Sequence, residues 1–137
     1  MAPHVLRSLV RRVDVTAIEL DLDQDEIPRD IRPVDLCFSG FLVHELRDPH
    51  GTVVKMCRIL NPRGLCVILD YVAGDVDSFV ATMIRVDIDE DEARARYPRM
   101  CARDIGDLRS AGLVRVRSVR LDGHRAIALG EHVNVCV

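Results

Sequence analysis

The chain has 137 residues, 48% hydrophobic and 30% charged, with a formal net charge of −3 and a pI near 5.9. That is one domain with a core of its own, too apolar and too balanced in charge for a disordered segment, and no apolar run approaches the ~20 residues of a membrane span. All but one of the 19 basic residues are arginine, scattered among 22 acidic ones, and there is no Trp, so neither a basic nucleic-acid face nor a base-stacking platform is indicated.

Residues 4–13 place Val5, Leu6, Leu9, Val10 and Val13 at helical spacing, with Arg7, Arg11 and Arg12 opposite; the spacing predicts an amphipathic helix. It is not an apolar block followed by small residues, so no secretory signal is read and a cytoplasmic protein is expected. The β-rich run 15–20 predicts a strand, and the acidic stretch 21–26 with Pro28 and Pro33 predicts an irregular loop. Residues 34–39 read as a continuous apolar strand, of the kind buried on both faces of a parallel sheet. Residues 51–60 then put Val53, Val54, Cys57 and Leu60 on one helical face, and Asn61-Pro62-Arg63-Gly64 stops that helix.

A second buried strand covers 65–69 and is closed by Asp70. A break at 74–77 precedes a helical stretch over 78–97, possible to interrupt at 87–89 and stopped at Pro98. Residues 104–111 predict a helix ended by Gly112. Residues 114–121 and 125–133 predict a hairpin about an Asp122-Gly123 turn. Strand–helix–strand alternation followed by a hairpin predicts a single α/β layered domain spanning 1–137, its sheet mostly parallel with a C-terminal antiparallel edge.

Several chemistries fail on spacing. The closest pair of the eight glycines is six apart, so neither GxGxxG nor GxxxxGK can be written. Ser39-Gly40 lacks the flanking glycines of a nucleophile elbow. His44-Glu45-Leu46-Arg47-Asp48 begins like a zinc-protease motif, but its fifth position is aspartate and His50 falls in a loop, so no metal is expected. The five cysteines form no CxxC pair, and Cys37, Cys57 and Cys66 read as small core residues.

The span from Leu20 to Val72 carries an ordered series of segments. Asp21 ends a strand, Ile27-Pro28 follows, and Val34-Asp35-Leu36-Cys37 opens the next strand. Then come Phe41 to Pro49 with His44, the helix end Arg58-Ile59-Leu60-Asn61-Pro62-Arg63-Gly64, and the strand closed by Asp70. Further on, Asp107 to Leu113 gives a helix end around Gly112. This series resembles the class I S-adenosylmethionine-dependent methyltransferases of the broad small-molecule group, from their third strand to their C-terminus.

The resemblance implies a Rossmann-like sheet truncated at its N-terminus, because the glycine-rich cofactor loop and the first two strands match nothing here. It implies cofactor contacts at Asp21 and Leu22 (adenine) and at Ser39, Gly40 and Phe41 (methionine part and methyl). It implies His44 and Glu45 as catalytic candidates facing substrate, with His44 a general base, and Asp70 and Tyr71 as substrate candidates at a strand's carboxyl end. Each has a plainer structural alternative: a strand end for Asp21 and Asp70, a tight turn for 39–41, a packing or capping histidine for His44. Removing two strands would expose the edge of the 34–39 strand, so a homodimer or a partner chain is expected there. The two functions that follow are a methyltransferase acting on a small molecule, or the C-terminal part of one, and a catalytically inactive methyltransferase-like module that dimerises or regulates.

Overall fold

The computed structural model describes residues 16–101 and 111–133. The predicted helix over 4–13 lies outside them, as does all but the last residue of that over 104–111. Strand β1, Val34–Gly40, leads through a single 3-10 turn, Val43–Glu45, into helix α1, Pro49–Arg58. Strand β2, Leu60–Tyr71, is followed by helices α2, Val76–Ile84, and α3, Glu90–Met100, and by the hairpin β3, Leu113–Arg120, and β4, Arg125–His132. The sheet order is β1-β2-β4-β3. β1 and β2 are parallel, as the intervening helix requires, and the hairpin adds antiparallel β4 beside β2 with β3 at the far edge.

Local chemistry sets the helix ends. Asp48 caps α1 by accepting from Gly51 N at 2.9 Å, with Pro49 in the first turn. A Cβ at position 51 would meet that carboxylate at 2.1 Å, so the glycine is part of the cap. The helix therefore starts two residues earlier than its apolar spacing suggests, and His50 lies in its first turn rather than in a loop. The stretch over 78–97 is two helices, divided where Asp87 takes a φ of 64° and Asp89 caps α3 through Glu92 N. Pro98 does not stop α3, which runs on to Met100; in a last turn, proline forfeits one hydrogen bond without breaking a helix that is about to end.

Asn61 to Gly64 does more than end a helix. It is a bulge at the start of β2: Leu60 pairs with Val34, the register then shifts, and Leu65 pairs with Leu36. Arg63 takes a φ of 66° in the bulge, and Asn61 Nδ2 donates to Asp35 at 2.8 Å. The run 16–20 forms no strand, and Ile18 is exposed; strand propensity without a ladder partner leaves only irregular chain.

One sheet face is covered and the other is not. Cys37, Cys66, Ile68, Ala126 and Ala128 form the covered face with Val53 and Cys57 of α1. The three thiols are all buried here, as expected, and burial pushes that of Cys37 above its ordinary value. A second cluster, around Phe79, Val80, Met83, Ala93 and Met100, joins α2 to α3. On the opposite sheet face Leu36 and Phe38 are 55% and 60% exposed, Leu65 is exposed beside Leu36, and Val119 is exposed on the far strand. This corrects the expectation of a β1 strand buried on both faces. Among the described residues β1 has no strand on its outer edge.

Candidate functional site

The carboxyl ends of β1 and β2 bring the chemistry-bearing residues together. Asp70, the penultimate residue of β2, is completely buried. Its Oδ1 lies 2.6 Å from His44 Nδ1 and accepts from Tyr71 N at 2.8 Å, while Oδ2 accepts from His44 N at 3.1 Å. One carboxylate thus fixes both the 3-10 turn and the imidazole it carries. A carboxylate only accepts, so the proton on this edge of the ring is on Nδ1 and the other nitrogen faces outward. That nitrogen, Nε2, lies 3.3 Å from Oε1 of half-exposed Glu45, which also stands 3.7 Å from the Arg99 guanidinium.

Tyr71 is the floor of this site. Its ring meets His44 edge-on at 5.0 Å, Phe41 at 5.0 Å and Phe79 at 5.4 Å, and stacks on His124 at 5.9 Å and 16°. Burial pushes the Tyr71 hydroxyl above its ordinary value. Phe41 reaches the site because the chain leaves β1 there with a φ of 53°, its N–H still donating to Leu69 O at 2.8 Å. Ser39 is buried on the covered face near the same strand end, and its Oγ has no hydrogen-bond partner. Gly40 closes the strand beside Leu69.

The adenine-side candidates are placed differently. The Asp21 carboxylate accepts from Asp23 N at 3.0 Å and from Gln24 Nε2 at 2.7 Å, and Leu22 O accepts from Lys55 Nζ at 2.9 Å. Their loop is held near the site by Asp23, whose carboxylate takes the N–H groups of Arg47 and Asp48. Asp70, a substrate candidate by sequence, is sealed from solvent and reaches His44 instead. His124, absent from the sequence reading, lies behind Tyr71; it follows a turn and carries no spacing signal of its own. Among the described residues no group of three or more His, Cys, Asp or Glu could hold a metal ion, and no helix is long and apolar enough to cross a membrane.

Neither a family model nor a curated relative matches the sequence. Solved structures do match. An O-methyltransferase family protein from Burkholderia thailandensis aligns with 94% of this chain at a TM-score of 0.59 and 18% identity. A SAM-dependent methyltransferase from Aquifex aeolicus covers 95% of it at 0.62 and 20%. The fold is that of the class I methyltransferases. A chain from the Haloferax volcanii complex of the Trm112 methyltransferase activator with a methyltransferase aligns too, over 96% of this chain at 0.57 and 19%. This methyltransferase-like chain spans only 38% of the Burkholderia structure and 61% of the Aquifex one. The His44–Asp70 pair lies at the carboxyl end of the two parallel strands, where open α/β sheets place ligands.

Proposed function

We propose that this chain is the acceptor-side part of an S-adenosylmethionine-dependent methyltransferase acting on a small molecule, with His44 as general base and Asp70 as its positioning residue. The observation that carries the reading is the 2.6 Å contact between His44 Nδ1 and a fully buried carboxylate. It fixes the tautomer that leaves Nε2 free to take a proton, and it stabilises the imidazolium that results. Glu45 stands at Nε2 in the resting site, 3.3 Å away; half-exposed, with exposed Arg99 at 3.7 Å as its other ion-pair partner among the described residues, it swings aside when an acceptor hydroxyl or amine arrives. Phe41 and Tyr71 then offer the acceptor an apolar wall.

The cofactor fits these residues in part. Ser39 Oγ, buried and unpartnered, is a free polar atom at the strand end assigned to the methionine part, and Ser39, Gly40 and Phe41 would hold that end. The Asp21 carboxylate is already committed within its own loop, and the sequence writes no glycine-rich loop, so the grip on the nucleoside is not found in these residues. When bound, S-adenosylmethionine supplies an already activated methyl group; the chain's own task is alignment and proton removal. Equilibrium dialysis of the full chain against the cofactor tests the reading. Saturable binding, weakened by Ser39→Val, supports it, whereas no binding at millimolar cofactor rules out independent activity.

That second outcome would favour the inactive dimerising or regulatory module, a reading with an observation of its own. β1 presents an unpaired edge of Leu, Cys and Phe without Lys or an internal Pro, and Leu36 and Phe38 beside it are exposed. Natural sheets protect such edges, so we assign β1 as the contact for a second copy or a partner chain. Analytical ultracentrifugation tests it: Phe38→Lys is expected to lower the mass of any assembly that forms.

A further inference from the structure

Away from His44, the loop over 26–33 and the last turn of α1 enclose a cavity of about 590 Å³. The topology puts it at the opposite end of the sheet. Pro33 immediately precedes β1 and Ile59 immediately precedes β2, so the cavity opens at the amino ends of the two parallel strands, whereas Phe41 and Asp70 mark their carboxyl ends. Its volume is in the range of small-molecule sites, roughly 300–1,000 Å³.

The lining divides by chemistry. Ile27, Ile31 and Ile59 are half-buried and give it an apolar floor, while Arg29 and Arg58 stand exposed at its mouth. Arg29 has no ion-pair partner among the described residues. Arg58 has only Glu26, at 3.7 Å and with both side chains largely in solvent; a pair this long and exposed is worth little and yields to a better acceptor. Lys55, in the wall, gives its ammonium to two backbone carbonyls, Leu22 O at 2.9 Å and Asp25 O at 2.7 Å. Its positive charge thus faces no carboxylate. In a chain of net charge −3, this gathers three cations against one carboxylate around an apolar cavity.

We propose that this cavity binds an amphipathic carboxylate, the apolar body resting on the isoleucines and the carboxylate held by the Arg29 and Arg58 guanidinium groups. A planar guanidinium donates two parallel hydrogen bonds to a carboxylate, and displacing Glu26 from Arg58 exchanges a long contact for a short one. The site requires neither the cofactor nor the acceptor of the proposed transferase.

Titration of the full chain with sodium octanoate and with 1-octanol, followed by backbone amide shifts, tests it. Octanoate is expected to give saturable shifts confined to residues 26–33 and 55–59, with octanol at least about tenfold weaker for want of a charged hydrogen-bond acceptor. The double variant Arg29→Gln/Arg58→Gln, altered only at exposed positions, is expected to lose at least about tenfold in octanoate affinity, while Arg117→Gln on the other side of the sheet changes nothing. The proposal is overturned if octanol binds as tightly as octanoate, if the shifts gather on Leu36 and Phe38, or if Arg117→Gln weakens binding as much as the double variant. The comparison of the two probes needs no variant and stands even if the double variant fails to fold.

Discussion

Two histidines flank the same tyrosine ring and differ in what faces their ring nitrogens. His44, edge-on to Tyr71, has a carboxylate 2.6 Å from Nδ1 and another 3.3 Å from Nε2. His124, stacked on the other side, has the Ser78 hydroxyl at 3.0 Å and Asp122 Oδ1 at 3.5 Å from Nδ1, and no hydrogen-bond partner for Nε2. Both are at least nine-tenths buried. The difference lies at Nε2: that of His44 faces a carboxylate, and that of His124 is buried without a hydrogen-bond partner. Burial accordingly pushes His124 below its ordinary value, with Asp122 and Asp75 opposing the shift and Arg125 adding to it. Burial alone says nothing about a histidine's role; what lies at each nitrogen does.

The sharpest way to break this contrast is Asp70→Asn. The amide cannot accept at both oxygens' positions, so His44 N, His44 Nδ1–H and Tyr71 N compete for one acceptor, and an amide donor is turned toward them. Leaving a buried donor without its acceptor costs about 1–3 kcal/mol, a large fraction of a small domain's stability. Urea unfolding should show that loss as a lower midpoint at unchanged slope. His44→Ala in a folded chain separates the roles: if His44 is the base, any methyl transfer falls by about 10²–10⁴-fold while cofactor binding stays.

How much of this was legible in the sequence depends on range. Order and type of the elements from β1 to β4 follow from apolar spacing, whereas the starts of α1 and α2 do not, because their caps, Asp48 and Asp75, lie outside the apolar repeat. The second face of β1 was misread because Leu36 and Phe38 look like core residues; whether anything covers them depends on chain that does not neighbour them in sequence. The hairpin turn was read as two residues, but Asp122 accepts from the N–H groups of both His124 and Arg125 and so holds a four-residue loop between β3 and β4. At the site, His44 and Asp70 were each visible at a strand end or loop. Their pairing across 26 positions was not, because it arises only when β1 and β2 align in parallel. His124 gave no sign at all: a single histidine after a turn acquires its role from Tyr71 and Ser78, 53 and 46 residues away.

A smaller effect sharpens the His124 side. With its folded pKa depressed, the folded state binds fewer protons than the unfolded one between that value and about 6.5, so stability should rise with pH across that window, by at most about 1.4 kcal/mol per pH unit. As pH falls through the window, stability is lost. Stability of the wild type and of His124→Phe, measured from pH 4.5 to 7.5, isolates the effect: the variant should lose this component of the slope. An unchanged slope would assign the titration elsewhere. Asp122 works in the same direction at lower pH. The Arg125 guanidinium holds its carboxyl down at about 2, so its contribution is present above the unfolded value near 3.9 and is lost only in stronger acid.

The smallest expected effects test the hydroxyl and the outer carboxylate, the two groups that distinguish the rings. Ser78→Ala removes the hydroxyl beside His124 Nδ1 and leaves that nitrogen only Asp122 Oδ1, at 3.5 Å, so it should cost no more than about 1 kcal/mol. The same change should enlarge the pH dependence only slightly, because burial of the ring is unaltered. Glu45→Gln is half-exposed and should change stability by less than about 0.5 kcal/mol. If Glu45 merely shields Nε2 in the resting site, the variant keeps its activity and shifts only the apparent affinity for acceptor. If instead activity falls as far as in His44→Ala, Glu45 takes part in the proton transfer, and the two rings differ in a second catalytic group as well as in their acceptors.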